Sequence, residues 1–393
     1  MADSERAPLF TRTLVALSVA DLAYFTAAGI SIFALPLYVT GPVGHDEAAA
    51  GLAFGAFAVS ALVLRPFAGR LTDRIGRRPL LVGGALIAAA SFALTATVEN
   101  LTAIFALRLL AGVAEAAFFV AGFAALADIA PPDRLGEALS YNSLGLYLGI
   151  AVGPLLGESL LENLGYVAVW LGAAVLALIA SALVAVVGET QTAAPEPGGP
   201  LRLIHRPAIP ASIGFLTSLA AVGGFLAFAS LHATRVGIAE PSLALLAYGG
   251  IVVVCRIAFA RVPDRLPSLP LAAASLATIG TGLLITATWR DPMGFFAGIA
   301  VMAVGIAFST PAFFSAVFAT AEPSERGIAS GTASAAIDLG LGIGPIALGL
   351  VAASHGIPWA FALAAAIALA GAVWMLAVAR GTPCRRDRRP VLH

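Results

Sequence analysis

Charged side chains are scarce in this chain of 393 residues: acidic and basic residues make up 11% of it, and lysine is absent altogether. Soluble domains average about 25% charged residues. Hydrophobic residues account for 60% of the chain, which is more than a water-soluble domain can keep away from solvent. The composition therefore excludes an ordinary soluble domain and predicts a protein with several membrane-spanning helices.

Cysteine and the common catalytic motifs are also nearly missing. The two cysteines, Cys255 in an apolar run and Cys384 in a basic tail, lack metal-ligand spacing and are not expected to form a disulfide. The chain has no Gly-x-x-x-x-Gly-Lys-Ser/Thr loop, no His-Glu-x-x-His and no Gly-x-Ser-x-Gly. We predict that it is not an enzyme, requires no cofactor or metal, and does not bind nucleic acid.

Apolar runs separated by polar breaks predict twelve spans, since a helix needs about 20 apolar residues to cross a bilayer. The first run, Thr13 to Val39, is too long for the core of a signal peptide and is expected to stay in the mature protein. The predicted spans lie near 13–39, 48–69, 79–97, 101–126, 136–160, 164–187, 208–231, 242–260, 268–288, 292–319, 327–353 and 358–379.

Arginine is distributed unevenly between the two sets of loops. One side carries almost all of the loop arginines together with both termini, whereas the other side has only Arg235 and Arg290. The positive-inside rule places the arginine-rich side in the cytoplasm. We therefore predict a multi-pass protein of the bacterial inner membrane with both termini cytoplasmic, which requires an even number of spans.

The longest polar break, Gly188 to Arg206, contains three prolines and is typical of a linker between two halves. Residues 1–188 are predicted to form the first six-helix bundle, 189–206 the cytoplasmic linker, 207–380 the second bundle and 381–393 a basic tail. The halves are related by a repeat with one offset of 191 residues. It matches Arg65, Arg70, Asp73 and Arg74 with Arg256, Arg261, Asp264 and Arg265, and Gly153-Pro154 with Gly344-Pro345.

Three motifs are more specific. The loop after the second span runs from Gly69 to Arg78 in the pattern Gly-x-x-x-Asp-Arg-x-Gly-Arg-Arg. The fourth span contains Arg108, Gly112 and Ala116 at four-residue spacing. The fifth contains Gly145, Gly149, Gly153-Pro154 and Gly157. Together they resemble the major facilitator superfamily, and the fifth-span motif is similar to that of its twelve-span drug:proton antiporters.

The resemblance implies an all-α membrane protein with twelve helices in two pseudo-symmetric six-helix bundles, acting as a monomer in the lipid bilayer. It also implies that the third, sixth, ninth and twelfth spans face lipid, which agrees with the lack of charge in their apolar interiors. The second half departs from the pattern, because Ala260 replaces the loop glycine and Ile299 stands opposite Arg108 in the repeat. Proton chemistry and the main gating loop are therefore expected in the first half.

The loop after the second span is the predicted gate. Asp73 ends a span beside a cluster of arginines, and Asp128 at the end of the fourth span is the expected partner of Arg77. The resemblance further implies that Asp73 faces the start of the eleventh span, where a helix N-terminus favours an anion. Positive-inside topology alone is the alternative explanation of these arginines. The gating candidates are Gly69, Asp73, Arg74, Gly76, Arg77, Arg78 and Asp128.

Glycines recur every four residues on one face of the fifth span, which lets another helix approach closely, and Pro154 prevents a straight, fully bonded helix. Such a helix is suited to a hinge, and ordinary glycine-mediated packing is an equally good explanation. The hinge candidates are Gly149, Gly153, Pro154, Gly157, Gly344 and Pro345.

Ionisable residues inside a membrane are functional by default because they are costly unless paired. Glu115 is the first candidate for the proton-coupling acid, with Arg108 on the same helix face to tune it. Asp21 and Asp338 are the next candidates, and either could instead bind a cationic substrate. A structural ion pair is the alternative for each.

Aromatic side chains on central spans are the predicted lining of an apolar substrate site, although packing or lipid contact explains any single one equally well. These candidates are Tyr24, Phe25, Phe118, Tyr141, Tyr147, Phe225 and Phe313. The predicted function is proton-driven efflux of a small amphipathic or drug-like molecule by alternating access. The alternatives are a facilitator or symporter for a sugar or other small metabolite, and a scaffolding or receptor role, which would not explain charges in the central helices.

Overall fold

The structure is a computed structural model that describes residues 11–130, 135–191, 204–322 and 325–381, with side chains described except at 135–141, 264 and 327. The described chain is almost entirely helical, which confirms the all-α class. The first half contains α1 (Arg12–Thr40), α2 (Glu47–Ile75), α3 (Arg77–Thr95), α4 (Leu101–Ile129) and α5 (Leu135–Val187). After a 3-10 turn at Arg206–Ala208, the second half contains α6 (Ile209–Arg235), α7 (Ser242–Ala258), the short α8 (Val262–Arg265), α9 (Ser268–Thr288), α10 (Pro292–Phe318), α11 (Arg326–His355) and α12 (Ile357–Gly381).

Ten of the described helices are long and apolar enough to span a membrane. Two elements need comparison with the predicted spans. The predicted fifth and sixth spans lie in the 53-residue helical segment α5, which Gly165, with a φ of +79°, divides into two helical arms. The predicted eighth span is α7, an apolar helix of only 17 residues.

The two ends of the bundle, called the inner and the outer end, differ in the helix junctions that lie there. The inner end carries the junctions α2–α3 and α4–α5, the end of α5 and the start of α6. The outer end carries the opposite connections, where polar caps start the helices. The side chains of Asp46, Asn100 and Asp291 accept backbone N–H groups in the first turns of α2, α4 and α10, which satisfies donors that a helix start leaves unpaired.

Large apolar side chains are exposed on most of the long helices, among them the four elements that carry no charge in their apolar interiors. In water such surfaces would drive aggregation, but in a bilayer they contact lipid tails. This placement agrees with the lipid-facing role that the resemblance implies for the third, sixth, ninth and twelfth spans. The exposed side chains include Leu86 and Leu94 on α3, Val175 and Leu178 on the second arm of α5, Leu284 on α9, and Val373 and Leu376 on α12.

The two halves meet along α2–α11 and α5–α7. Near the outer end, a Cβ added to Gly51 of α2 would lie 3.1 Å from the Cα of Gly349 on α11. On the other side, a Cβ added to Gly249 of α7 would lie 2.6 Å from the Cβ of Ala151. The halves are therefore packed closely at the outer end and, at Gly249, about 10 Å further in along α7.

Polar contacts reinforce this closure. Arg235 at the end of α6 forms an ion pair with Glu47 at the start of α2. The Ser242 hydroxyl at the start of α7 donates to the Glu158 carboxylate on α5. Both contacts join one half to the other, so they hold the outer end shut in this conformation.

Candidate functional site

The predicted gating loop forms a compact network at the inner end. Gly76, between α2 and α3, has a φ of +97°, a backbone conformation that residues other than glycine rarely adopt. A Cβ at this position would also lie 2.7 Å from the Cδ of Glu189. Two separate constraints therefore require glycine here.

Arg77 lies at the centre of the network. Its Nε is 2.9 Å from Oδ2 of Asp128, the partner expected from the sequence, and its Nη1 is 3.3 Å from Oδ1 of Asp73. Arg78 donates from Nη2 to the Ala185 carbonyl at 2.5 Å. These contacts tie the ends of α2, α4 and α5 together, which the topological explanation of the arginines does not require.

The remaining gate candidates, Arg74, Gly69 and Asp73, lie on α2. Arg74, in the last turn of α2, and Gly69, one turn before Asp73, are helical residues of that element. Among the described residues the Asp73 carboxylate forms its ion pair with Arg77, and its implied approach to the start of α11 stays a prediction. The Asp73 carboxylate is half exposed (53%).

Glu189, in the first residues of the linker, is a member of this network that the sequence did not single out. Its carboxylate accepts the backbone N–H of Arg77 at 2.9 Å and that of Arg78 at 3.2 Å, and so caps the start of α3. Partial burial raises its pKa, but backbone donors outweigh this effect, so the pKa lies below its ordinary value of 4.5. The donors are the N–H groups of Gln191, Arg77, Arg78 and Thr190.

We expect Glu189→Gln to lower the free energy of unfolding by less than about 1 kcal/mol, because an exposed cap is partly screened by water. Because the pKa of Glu189 is depressed in the folded state, its stabilising effect is present at neutral pH and is lost as the pH falls through and below 4.5. Thermal unfolding of the purified protein across this pH range measures the effect. Glu162→Gln, at an exposed acid of the outer end, is the control; equal stability of wild type and Glu189→Gln at every pH would contradict the capping role.

The predicted hinge glycines pack against another helix. Cβ atoms added to Gly149 and Gly153 of α5 would lie 2.6 Å from the carbonyl carbon of Phe25 and 2.8 Å from the Cα of Gly29 on α1. Gly157 faces the same helix, where its Cβ would lie 3.2 Å from the Phe33 ring. The glycines therefore allow α1 and α5 to touch along their backbones.

The second half reproduces this contact at the repeat offset. Cβ atoms added to Gly340 and Gly344 of α11 would lie 2.8 Å from the Leu216 carbonyl oxygen and 2.6 Å from the Cα of Ala220 on α6. Pro154 and Pro345 both lie inside their helices. Close packing thus explains the glycines of both halves, and hinge motion stays a prediction.

The charges predicted inside the membrane lie around the contact between the halves. The sequence proposed Asp338 of α11 as a proton-coupling acid. In the structure it forms a two-point ion pair with Arg65 of α2, with Nε–Oδ2 at 2.5 Å and Nη2–Oδ1 at 2.8 Å. Asp21 of α1 accepts a hydrogen bond from the Asn142 amide of α5.

Glu115 and Arg108 lie in the same central region of α4. The Glu115 carboxyl interacts with the Tyr24 hydroxyl and, electrostatically, with Arg65 and Arg108. Arg108 donates from Nη1 to the Ser31 hydroxyl at 3.2 Å and lies 5.3 Å from the centre of the Phe57 ring. Glu115 is thus a partly buried acid between two cations.

The predicted aromatic lining divides into two groups. Tyr24 stacks on Phe118 with ring centres 4.0 Å apart, and Phe25 meets Tyr24 edge to face at 5.5 Å. This group lies beside Glu115. Tyr147 lies elsewhere at the contact between halves and packs against Arg256.

Phe225 and Phe313, the lining candidates of the second half, are fully enclosed, and a lining role for them stays a prediction. Both are 0% exposed, because other aromatic side chains of the second half enclose them. Phe313 stacks on Phe215 at 4.9 Å, and Phe225 lies 6.0 Å from Phe361 of α12. In this structure they are packing residues. The side chain of Tyr141, the remaining candidate, lies outside the described residues.

Arg65, Arg256 and Asn142 complete the central region. The sequence counted the two arginines among its intramembrane charges but gave none of the three a specific role. Their partners Asp338, Tyr147 and Asp21 are all more than 100 residues away along the chain. For the two arginines the sequence did contain a signal of a shared role, because Arg65 and Arg256 occupy the same position in the two repeats.

Apolar spanning helices in two similar halves, with charges enclosed between them, define a polytopic membrane transporter. Residues 17–318 and 270–391 match the sequence model of the Major Facilitator Superfamily. The chain is 30% identical over 377 residues to an MFS-type transporter of Salmonella typhimurium, covering 92% of this chain and 95% of that protein. It is 29% identical over 407 residues to one of Pseudomonas aeruginosa, covering 96% of each. The chain belongs to the Major Facilitator Superfamily.

Solved structures show the same fold at low sequence identity. The nucleoside transporter NupG superposes with a TM-score of 0.79 at 14% identity, covering 93% of this chain and 99% of that one. A bacterial homologue of the human lysosomal transporter Spinster gives 0.78 at 14% identity, covering 96% and 98%. The human organic anion transporter MFSD10 (TETRAN) gives 0.69 at 18% identity, covering 93% and 99%.

Proposed function

We propose that this transporter is a proton-coupled antiporter that exports a small amphipathic molecule by alternating access, as in the drug:proton antiporter group that its motifs resemble. The observation that carries the proposal is the position of Glu115. A carboxyl group between the cations Arg65 and Arg108, at the contact between two halves, can bind and release a proton as the halves rock.

The topology that supports this function is twelve spans with both termini in the cytoplasm of a bacterial cell. At 1.5 Å per residue the 53-residue α5 is about 80 Å long, far more than the roughly 30 Å hydrocarbon core. Bending at Gly165 lets it cross twice, because Glu158 contacts the outer end and Ala185 the inner end. Helix α7 adds the twelfth span, and the arginine-rich inner end faces the cytoplasm.

The gating role of the inner-end network follows from its contacts. Arg77, Asp128 and Glu189 hold helix ends of the first half together, so this end of the first half can move as one body when the inner end opens or closes. Because the outer end is closed in this structure, the network occupies the end through which a cytoplasmic substrate would enter. The protein acts as a monomer in the bilayer.

A facilitator or symporter is the second candidate, because the printed names of its structural neighbours include a nucleoside transporter and an organic anion transporter. The deciding experiment expresses the full chain in an efflux-deficient bacterial host. We expect lower cellular accumulation of amphipathic compounds, reversed by a protonophore. Chain-dependent accumulation that rises would instead indicate a symporter, and a change insensitive to the protonophore would indicate a facilitator.

A further inference from the structure

The repeat relates two clusters that join the halves at the same depth. With the offset of 191 residues, Arg65 corresponds to Arg256, Tyr147 to Asp338, and Phe119 to Thr310. Each cluster therefore has an arginine on α2 or α7 and a partner on α11 or α5. The two clusters are copies of one arrangement, and they differ in the chemistry of the partner.

In the first copy the cation is neutralised. Arg65 forms its two-point ion pair with Asp338, and its guanidinium lies 4.6 Å from the centre of the Phe119 ring. A paired, hydrogen-bonded charge is the form in which an arginine is tolerated inside a membrane.

In the second copy a phenol replaces the carboxylate. Arg256 donates from Nη2 to the Tyr147 hydroxyl and from Nη1 to the Ser143 hydroxyl, both at 3.2 Å, and lies 4.4 Å from the centre of the Tyr147 ring. The Tyr147 hydroxyl is in turn 3.5 Å from that of Thr310. Hydroxyl groups solvate the guanidinium but do not cancel its charge.

Arg256 forms no ion pair with any carboxylate of the described side chains, and its Nε is buried without a hydrogen-bond partner. The residue is 14 positions from Ser242 at the outer start of α7, about 21 Å along the helix axis, which is less than the roughly 30 Å thickness of a hydrocarbon core. A cation that none of the described carboxylates neutralises is costly inside a membrane, so a site that keeps one has a reason to hold an anion.

We propose that Arg256, Tyr147 and Thr310 form a subsite for the carboxylate of an amphipathic organic anion. The substrate carboxylate supplies to Arg256 the negative charge that Asp338 supplies to Arg65 in the first copy. Its ion pair with Arg256 has a preferred orientation, because a guanidinium group can donate two parallel N–H hydrogen bonds to the two oxygens of a carboxylate. The proposal rests on the proposed function, whose substrate it specifies.

The test uses the purified full chain in lipid nanodiscs without a proton gradient. The probes are dansylglycine, an aromatic carboxylate, and its neutral amide, dansylglycinamide, whose binding is followed by fluorescence titration. Wild type is expected to bind the carboxylate more tightly than the amide. Arg256→Gln should weaken carboxylate binding at least about tenfold and leave amide binding unchanged, because only the charged hydrogen bonds are lost.

Three further variants test the assignment. Arg256→Lys should retain part of the carboxylate preference, because it keeps the charge without the fork. Tyr147→Phe should weaken carboxylate binding while keeping the ring against Arg256. Arg290→Gln, at an exposed arginine of the outer end, should match wild type. Thermal unfolding of each variant checks that it is folded.

A wild-type protein that does not prefer the carboxylate, or a folded Arg256→Gln that keeps the preference, would overturn the subsite. Equal weakening of both probes in Arg256→Gln would also overturn it, since that indicates a general loss of ligand binding. Failure of the proposed function is recognised separately. In that case wild type still binds the carboxylate more tightly than the amide and Arg256→Gln still loses this preference, but cellular transport is insensitive to the protonophore.

Discussion

Glu115→Gln is expected to reduce proton-driven transport to background while the protein folds and binds substrate normally. Glutamine has nearly the shape of a protonated glutamate and keeps a polar group beside the Tyr24 hydroxyl, so packing is preserved. It cannot release a proton, and coupling by Glu115 requires both protonation states. The measurement is substrate accumulation in everted membrane vesicles energised by a proton gradient.

Two comparisons distinguish a loss of proton coupling from a general loss of folding or transport. Substrate exchange without a gradient should persist in Glu115→Gln, because exchange needs the conformational cycle but no net proton transfer. Glu99→Gln, at an exposed acid between α3 and α4, should transport like wild type. Wild-type accumulation in vesicles that carry Glu115→Gln would remove Glu115 as the coupling acid and turn attention to Asp21 and Asp338.

Gly249→Leu is expected to block transport by preventing closure of the outer end. A Cβ at Gly249 would already lie 2.6 Å from the Cβ of Ala151 on the other half. Overpacking of this kind costs about 1–3 kcal/mol, which shifts a two-state equilibrium by about 5- to 150-fold. The closed state should lose that much population, because the clash exists only where the halves touch.

The neighbouring residue provides the control. A Cβ at Gly250 meets no atom within 4 Å, so Gly250→Leu places the same side chain one position along the same helix without the clash. Transport by the two variants measures the effect. A second measurement is the accessibility of a cysteine introduced at Ala48 to a water-soluble thiol reagent, in a background in which Cys255→Ala and Cys384→Ala remove both native cysteines. Retained transport in Gly249→Leu, or equal loss in Gly250→Leu, would contradict the role of this contact.

Several features of the site were predictable from nearby sequence. The cluster of acids and arginines around Asp73 predicted a network, and its Arg77–Asp128 pair is present at 2.9 Å. The four-residue spacing of Gly149 and Gly153 predicted a close helix contact, which occurs with α1. Spacing along one helix is a local property, so the sequence shows it directly.

Other features depended on distant parts of the chain. Asp338 was a candidate acid, but its pairing with Arg65 joins residues 273 positions apart. The capping of α3 by Glu189 depends on where the linker lies, and the enclosure of Phe225 depends on how α6 packs against α12. Side-chain hydropathy contains no information on which partner a residue meets.

The sequence by itself determined that this chain is an all-helical membrane protein of two related halves, because each span must be apolar and must satisfy its own backbone hydrogen bonds in lipid. It also located the charges inside the membrane. Only the tertiary structure decided which charges are neutralised. Packing of the two halves brings the Asp338 carboxylate to Arg65, but it brings the Tyr147 hydroxyl to Arg256. The physical reason is that electrostatic pairing depends on distances between helices, which packing of the whole bundle sets.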